Sequence, residues 1–504
     1  MHTNNLTLLP IDGFDTQKIL SILDTMNNFV HEELTGLGME FNVFDFTFEG
    51  QLGLYLGMFV NLGLITDSPA LQLLFEFTIE ISKNYPNNPY HSFSHAIDVS
   101  YMCYYMSIDL GLSEQLDFNS SDIAVLLLSA IGHDVLHPGT NNQFQIAMNT
   151  PSAIKYNKVS VLENQSADFL KVQLAKYSIL QQLKLEANMT EEFESEILAK
   201  ITDAILKTDM MYHFQILEEC LNIIEYHNNQ SKSISIPVGP TVLSPSTITP
   251  NSATSPNFKN ILTLKKFARD TNSYNDSNTS LNQISKVILE SNKSKNHMIN
   301  TILHVADISN PIRPFDNSKR WADLVMKEFV HQGHLEKENN LPISPNMDDS
   351  IIEKQSTLQL SFIQFIVRPL CDCLYESFPK TLIFLDLLVS NSNQWGGTVV
   401  PIQSRRRGTD DLVKTSKHLQ VGGKRPVETP NRRLSYCAGT IEIPESVGNY
   451  LNKMKKRHSR QKSSMSSNHS EYGDSAHSIH EDLEEESLTT VLETLSMGNL
   501  AVEN

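Results

Sequence analysis

The sequence predicts an all-α fold, on the basis of apolar periodicity, scarce β-alternation and a long capped helix. From about Glu40 to Gln394, apolar residues recur at helical spacing, and the alternation typical of β-strands is scarce. The stretch from Ser121 to His137 begins with capping residues and continues as an almost wholly apolar helix, which we expect Pro138 and Gly139 to end. A helix that is apolar on all sides is normally buried, so we expect a compact multi-helix domain.

The composition divides the chain into segments. Residues 1–39 form a short N-terminal segment, and residues 40–395 form the helical domain. Residues 228–292 interrupt that domain with a low-complexity insert, whose first half is rich in Ser, Thr and Pro. Residues 396–504 contain basic clusters, a Ser-rich stretch and an acidic run, which predict a disordered regulatory tail.

Charge and cysteine content argue against several classes of protein. The 40 Lys and Arg against 58 Asp and Glu give a net charge of −18, which is unfavourable for coating nucleic acid. No apolar stretch approaches the roughly 20 residues of a membrane helix, and the N-terminus lacks a signal-peptide pattern. Five cysteines cannot form a fully paired set of disulfides, which favours a reducing compartment such as the cytosol. We expect a cytoplasmic protein that binds neither nucleic acid nor membranes, and the oligomeric state stays open.

Two histidine pairs give the first indication of chemistry. His91 and His95 are four residues apart, and so are His133 and His137. Residues at i and i+4 of a helix share a face, so we expect each pair to converge on one point. Asp134 adds an oxygen ligand beside His133. A mixed set of His and Asp suits a divalent metal, and a bridging carboxylate suits two.

A third cluster strengthens this interpretation. A single histidine is more often a satisfied structural residue than a ligand. Here His304 and Asp307 add to the two histidine pairs, and all lie in apolar helical segments. Burying so many polar groups without a metal would leave costly unsatisfied atoms. The sequence therefore predicts a metal site.

The order of these motifs resembles the catalytic domain of class I cyclic-nucleotide phosphodiesterases. The resemblance covers roughly residues 40–395. The matching segments are Tyr90-His91 with His95, His133-Asp134-x-x-His137-Pro-Gly with Asn142, His304-x-x-Asp307-Ile-Ser-Asn310, Asn42 to Asp45, Ser160 to Asn164, Thr208 to Met210, Pro345 to Asp348, and Gln359 to Phe362. The resemblance implies an all-α phosphodiesterase domain with a central two-metal pocket.

The resemblance also implies a ligand set. His95, His133, Asp134 and Asp307 match the residues that hold a tightly bound, zinc-like ion, and Asp134 would bridge to a second ion, magnesium or manganese. His91 matches the general acid that protonates the leaving 3′ oxygen. Two such cations would lower the pKa of a shared water and neutralise the phosphate.

Further matches concern the surroundings of the metals and the purine. His137 matches a residue that supports the water shell of the second ion. Glu163, which this chain also shares with the family, is expected to support the metals without binding them directly. Gln359 matches the glutamine that hydrogen-bonds the purine, Phe362 the ring that stacks on it, and Val325 the aliphatic residue on the opposite side. A planar base needs such an aromatic face and an amide that both donates and accepts.

The nucleotide is less clearly indicated. Asn310 occupies a position where cAMP-selective members have Asn, although a cGMP-selective branch has it too. The runs 84–91 and 138–142 resemble the high-affinity cGMP branch. We predict hydrolysis of a 3′,5′-cyclic nucleotide to the 5′-monophosphate, with a lean towards cGMP and with cAMP as the alternative.

Three positions depart from the family pattern. The family commonly has His-His where this chain has Gln165-Ser166, and Asp where it has Leu136. None of these is a direct metal ligand in the pattern, so we expect an active enzyme with effects on metal affinity or rate. Two rival hypotheses stay open. One is another His-Asp phosphohydrolase, and the other is a phosphodiesterase-like scaffold that only binds nucleotide.

The tail carries a candidate regulatory site. Arg432-Arg433-Leu434-Ser435 fits the basic-basic-x-Ser pattern of a cAMP- or cGMP-dependent kinase. Phosphate on Ser435 would place negative charge beside two arginines. The alternative is an unmodified, solvated basic patch.

Overall fold

The computed structural model describes residues 6–31, 35–185, 190–233, 293–396 and 447–450. These residues are mostly helical and include no β-strand, which confirms the all-α prediction; one isolated bridge joins Ile11 and Phe14. The α-helices in the main described ranges are α1 (Thr16–Val30), α2 (Phe48–Asn61), α3 (Ser68–Lys83), α4 (Phe93–Tyr104), α5 (Leu112–Gln115), α6 (Ser120–Gly132), α7 (Asn142–Ala147), α8 (Pro151–Lys155), α9 (Val161–Lys176), α10 (Ile179–Gln182), α11 (Glu191–Leu206), α12 (His213–Ser233), α13 (293–307), α14 (Phe315–Glu338), α15 (Gln355–Phe362), α16 (Arg368–Ser377) and α17 (Leu382–Gln394).

Side-chain caps determine where several helices begin. The carboxylate of Asp67 accepts a hydrogen bond from the backbone N–H of Ala70 at the start of α3. Asn119 and Asp122 form a capping box at the start of α6. Each cap satisfies backbone N–H groups that have no partner within the helix. The predicted capped start near Ser121 is therefore confirmed to within a residue.

The N-terminal segment packs on the core. Helices α1 and α2 contact each other along much of their length. They approach closely at Gly53, where a Cβ atom would lie 2.5 Å from the carbonyl oxygen of Ile22. Ile22 and Phe29 of α1 are fully buried. The predicted boundary near residue 40 therefore does not separate α1 from the packed core.

A group of buried helices brings the functional segments together. Helix α4 contacts α2 and α6, and α11 packs on both α6 and α9. Helix α12 contacts α16, and α17 contacts the turn at Asn310–Ile312. The beginning of α4, the end of α6 and the end of α13 carry the candidate ligands, so these contacts define where the site can form.

The apolar helix predicted over Ser121 to His137 is shorter than expected. Helix α6 ends at Gly132, five residues before His137, and the chain then turns. Leu136 has a φ of +68°, in the left-handed region that no α-helix accommodates. Its backbone N–H donates to the carbonyl of Asn84 at 2.9 Å instead of to its own helix. Tertiary hydrogen bonding therefore ends this helix, rather than Pro138 and Gly139.

Several sequence predictions concern the insert at 228–292 and the tail at 396–504. Helix α12 continues to Ser233 and so includes the first residues of the predicted insert, whereas 234–292 lie outside the described residues. Most of the predicted tail, including the candidate phosphorylation site Ser435, also lies outside them. Its residues 447–450 are helical, and Val447 is fully buried against the core. No described helix is both long and apolar enough to cross a membrane.

Candidate active site

Four of the predicted ligands converge in one pocket. His95 lies in the first turn of α4, His133 follows the last residue of α6, Asp134 is its neighbour, and Asp307 ends α13. One ligand atom from each lies within 4.8 Å of the others. The two imidazoles are buried and the two carboxylates are partly buried. Three separate segments therefore contribute to one set of nitrogen and oxygen donors.

The spacing of these donors fits a small divalent cation. The Nε2 atom of His95 lies 3.0 Å from the Oδ1 atom of Asp307 and 3.7 Å from the Oδ2 atom of Asp134. The Nε2 atom of His133 lies 3.1 Å from that same Asp134 atom. Tetrahedral ligands about 2.0–2.2 Å from zinc would be roughly 3.3–3.6 Å apart. The pocket therefore has a size and donor chemistry that a metal fits.

Hydrogen bonding supports the same conclusion. The Nε2 atom of His133 and the Oδ2 atom of Asp134 are buried and form no hydrogen bond within the described part of the chain, although they are close. The Nδ1 atom of His133 donates to the carbonyl of Ala130 at 2.8 Å, which leaves the Nε2 lone pair directed at the pocket. A cation would satisfy both atoms.

The carboxylates of the pocket stay ionised. Burial would raise the pKa of Asp307, but the facing His133 lowers that pKa far below its usual range. Burial likewise opposes ionisation of Asp134, and His133 again lowers its pKa. The two carboxylates in turn outweigh burial and raise the pKa of His133. A metal cation would replace that histidine proton and keep both carboxylates charged.

A second cluster lies beside the first and contains His91, His137 and Glu328. Their ligand atoms also lie within 4.8 Å of one another. The Nδ1 atom of His91 forms a short hydrogen bond with the Oε1 atom of Glu328. The Oε2 atom of Glu328 accepts the backbone N–H groups of Tyr90 and His91 at 3.0 and 3.2 Å. The rings of His91 and His137 stack with centroids 3.8 Å apart. Glu328 thus fixes the orientation of His91.

The two histidines of this second cluster differ in charge. Burial opposes the charged form of His91, but Glu328 together with Asp134 and Asp307 outweighs burial and raises the pKa of His91 to about 9. Burial and the neighbouring charge of His91 lower the pKa of His137 to about 3. The Nδ1 atom of His137 accepts the backbone N–H of Gly139 at 3.1 Å, which is consistent with a neutral ring. Near neutral pH, therefore, His91 holds a proton that His137 lacks.

The pairing of the histidines predicted from their i, i+4 spacing is wrong. His91 precedes α4, whose N-cap is Ser92, and His137 follows the turn after α6. Neither pair lies on one helical face. Instead the first cluster takes His95 and His133, and the second takes His91 and His137. Asn88 bridges the two segments, because its side-chain amide donates to the carbonyls of His137 at 2.7 Å and His91 at 3.1 Å.

His304 lies outside both clusters. It is helical, as predicted, and fully buried. Its Nε2 atom lies 3.0 Å from the Nδ1 atom of His213, at the start of α12. Burial lowers the pKa of His304 to about 4, so the pair is neutral near pH 7. Of the third sequence cluster, only Asp307 reaches the pocket.

Glu163 belongs to a partly buried polar network. The side-chain amide of Asn142 donates to both carboxylate oxygens of Glu163, at 3.0 and 3.2 Å, and lies 3.4 Å from the carboxylate of Asp209. Burial and then the charge of Asp209 raise the pKa of Glu163 well above its usual value. Asp134 contributes to the same shift, which indicates that this network lies near the pocket.

The residues predicted to hold the purine lie on neighbouring elements. Gln359 and Phe362 are half-buried on α15, and Val325 is half-buried on α14, which contacts α15. The side-chain amide of Asn310 donates to the hydroxyl of Tyr90, next to His91. How these side chains would surround a base stays a prediction.

Sequence reasoning missed Glu328. The residue is 3% exposed and more than 230 positions from His91 along the chain, so no local motif contains both. A signal was nevertheless present. Glu328 follows Val325 by three residues on α14 and therefore shares its helical face. A glutamate on a face already assigned to the pocket was a candidate partner for a pocket histidine.

Known proteins share this sequence pattern. A family model described as 3′5′-cyclic nucleotide phosphodiesterase matches residues 90–388. The mouse protein named high affinity cGMP-specific 3′,5′-cyclic phosphodiesterase 9A is 28% identical over 326 residues, which cover 64% of this chain and 48% of the mouse protein. The Caenorhabditis elegans protein named probable 3′,5′-cyclic-AMP phosphodiesterase pde-4 is 26% identical over 331 residues, covering 65% and 40%. The chain spans less than half the length of these two relatives.

Solved structures share the fold. The crystal structure of the phosphodiesterase domain of the RhoPDE fusion protein from the choanoflagellate Salpingoeca rosetta matches with a TM-score of 0.52 at 23% identity. The match covers 71% of this chain and 93% of that chain. The family model alone covers more than half of the present sequence. The chain therefore belongs to the 3′,5′-cyclic nucleotide phosphodiesterase family.

Proposed function

We propose that this chain hydrolyses 3′,5′-cyclic nucleotides to nucleoside 5′-monophosphates. The observation that carries the proposal is the adjacency of the two clusters. A four-donor pocket suited to a divalent cation lies beside His91, whose ring centroid is 6.2 Å from that of the ligand His95. Hydrolysis of a cyclic phosphodiester needs an electrophilic centre for the phosphate and an acid for the leaving oxygen, and the two clusters supply one each.

We assign the tight, zinc-like ion to His95, His133, Asp134 and Asp307. Asp134 would also help to hold a second ion, magnesium or manganese. When bound, such cations lower the pKa of a water and offset the charge of the phosphate. The second effect matters because the chain carries a net charge of −18, which by itself repels a nucleotide.

His91 is the proposed general acid. Its Nδ1 atom is engaged by Glu328, so the Nε2–H group is the one available to the substrate. As water attacks phosphorus and the bond to the 3′ oxygen breaks, that proton passes to the leaving oxygen. Glu328 binds the Nδ1 atom of His91 and helps to keep the ring charged and oriented. His137 is neutral and stacks on the His91 ring, which supports its orientation.

We propose cGMP as the preferred substrate. The resemblance of 84–91 and 138–142 to the cGMP branch supports this choice, as does the mouse relative named cGMP-specific. The worm relative named for cyclic AMP, together with Asn310, supports the alternative. Gln359 would hydrogen-bond the base, with Phe362 on one face and Val325 on the other.

The test is hydrolysis of cGMP and cAMP side by side, at sub-micromolar substrate, after chelation and then with added Mg²⁺ or Mn²⁺. We expect metal-dependent release of the 5′-monophosphate, faster from cGMP. Faster hydrolysis of cAMP would reverse the nucleotide assignment. Nucleotide binding without turnover under any metal would favour a scaffold. Turnover only of non-cyclic phosphates would favour another His-Asp phosphohydrolase.

A further inference from the structure

We propose that Gln165 and Ser166 are positioning residues, which hold the turn between Asp134 and His137 and thereby set the metal affinity of the pocket. The proposal rests on the proposed function. It concerns the residues at which this chain departs from the family pattern, Gln165-Ser166 and Leu136. In the structure these positions are neighbours.

The turn that connects the two clusters has little support from its own helix. Helix α6 has ended at Gly132, and Leu136 occupies the left-handed region at φ +68°, which costs energy for a residue with a β-carbon. The N–H of Leu136 is satisfied by Asn84. No backbone N–H among the described residues donates to the carbonyl groups of Val135 and Leu136, so these groups need side-chain donors.

Helix α9 supplies both donors. The hydroxyl of Ser166 donates to the carbonyl of Val135 at 2.8 Å, and Ser166 is 2% exposed. The side-chain amide of Gln165 donates to the carbonyl of Leu136 at 3.3 Å. The Oε1 atom of Gln165 accepts a hydrogen bond from the hydroxyl of Ser152 on α8. That contact fixes which end of the amide faces the turn.

Helix α9 is itself well anchored against the site. Leu170 packs on Gly132, where a Cβ atom would lie 2.7 Å from its side chain. The N–H of Leu162 donates to the side-chain oxygen of Asn142 at 3.0 Å, and Asn142 also holds Glu163. Two donors on a fixed helix therefore determine the position of two consecutive carbonyl groups.

These carbonyl groups are adjacent to the chemistry. Asp134 immediately precedes Val135, and His137 immediately follows Leu136. Releasing either carbonyl would leave a buried acceptor unsatisfied and let the turn shift. Substituting a residue that orients a metal ligand without touching the metal typically lowers metal affinity or activity by about 10–100-fold. We therefore expect Gln165 and Ser166 to act on metal binding through the backbone, without touching the metal.

The test compares Ser166→Ala and Gln165→Met with the control Thr78→Val in the full chain. Thr78 is fully buried, and its hydroxyl donates to the carbonyl of Leu74 at 2.7 Å within α3, so the control loses the same kind of hydrogen bond elsewhere. We expect Mn²⁺ binding, measured by calorimetry on the chelator-treated protein, to weaken about 10–100-fold in both variants and to be unchanged in the control. Ser166→Thr keeps the hydroxyl and should restore binding relative to Ser166→Ala.

Unchanged Mn²⁺ affinity in both variants would overturn the proposal. So would a loss in Ser166→Thr equal to that in Ser166→Ala, because it would indicate a packing effect. Gln165 is only half-buried, so Gln165→Met keeps the proposal testable if Ser166→Ala unfolds. Calorimetry reads metal binding without turnover, so an inactive wild-type protein would overturn the proposed function and leave this comparison decisive.

Discussion

At the scale of single residues, the charge state of His91 determines the pH range of the proposed reaction. Its pKa of about 9 lies above the usual value of 6.5 because Glu328, with smaller contributions from Asp134 and Asp307, outweighs the effect of burial. The acid form is therefore present below about pH 9 and is lost as the pH rises through that value. We expect kcat/KM for cGMP to fall on the alkaline side with an apparent pKa near 9.

Substituting Glu328→Gln tests this dependence. The change removes the charge but keeps an acceptor. We therefore expect the alkaline fall in kcat/KM to occur at a pH lower by roughly 1–3 units. Glu338→Gln, an exposed substitution on the same helix, is the control and should leave that pH unchanged. A pH profile that is identical in Glu328→Gln and the wild type would rule out His91 as the acid that limits the rate.

The sequence predicted which residues form the site better than it predicted which of them lie next to one another. The sequence identified the donors that the structure brings together, because His and Asp are unusual in apolar segments. The i, i+4 spacing did not predict that His95 would join His133 while His91 joined His137, although the family resemblance had already grouped His95 with His133. Spacing describes neighbours along a chain, whereas these partners come from separate segments that tertiary packing brings together. Glu328 was missed for the same reason.

At the scale of elements, local patterns predicted helices well and their ends less well. The capped start of α6 was predicted to within a residue, because capping is a local interaction. Its end at Gly132 was not, because the chain turns to satisfy the N–H of Leu136 with the carbonyl of Asn84. Apolar residues continue into this turn, where Val135 is fully buried and Leu136 is partly buried. A buried turn and a buried helix look alike in sequence.

The packing of α1 on α2 depends on a missing side chain. Gly53→Ala should gain about 1 kcal/mol from helix propensity. The new Cβ atom would nevertheless lie 2.5 Å from the carbonyl oxygen of Ile22 and 2.8 Å from the Cβ atom of Thr25, and such overpacking costs about 1–3 kcal/mol. The backbone carbonyl cannot rotate away, which places the cost in the upper part of that range, about 2–3 kcal/mol. After the gain in helix propensity, we expect the free energy of unfolding, measured by urea titration, to fall by about 1–2 kcal/mol.

Gly36→Ala is the matched control, since nothing lies within 4 Å of a Cβ atom at that position. It should leave the free energy of unfolding unchanged within about 0.5 kcal/mol. Equal stability of Gly53→Ala and Gly36→Ala would contradict the close approach of the two helices.

At the scale of the whole molecule, the fold brings together segments that are far apart in sequence. The two clusters draw on the start of α4, the turn after α6, the end of α13 and the middle of α14. Apolar periodicity and the scarcity of β-alternation predicted the all-α class, and the ordered motifs predicted the family. The side-chain arrangement required the assembled chain, because each cluster contains residues from at least three segments.

The central claim is that the four-donor pocket makes the chain a metal-dependent phosphodiesterase. It is tested most directly by cGMP turnover of Asp307→Ala against Asp168→Ala at saturating Mg²⁺ or Mn²⁺. Asp168 lies on α9, partly exposed and paired with Lys155 and Lys171, so it controls for the loss of an aspartate. We predict that kcat falls more than about 100-fold in Asp307→Ala. Substituting a residue that only orients a metal ligand already costs about 10–100-fold, and Asp307 is a ligand itself. Asp168→Ala should keep wild-type turnover. Wild-type turnover in Asp307→Ala would contradict the account.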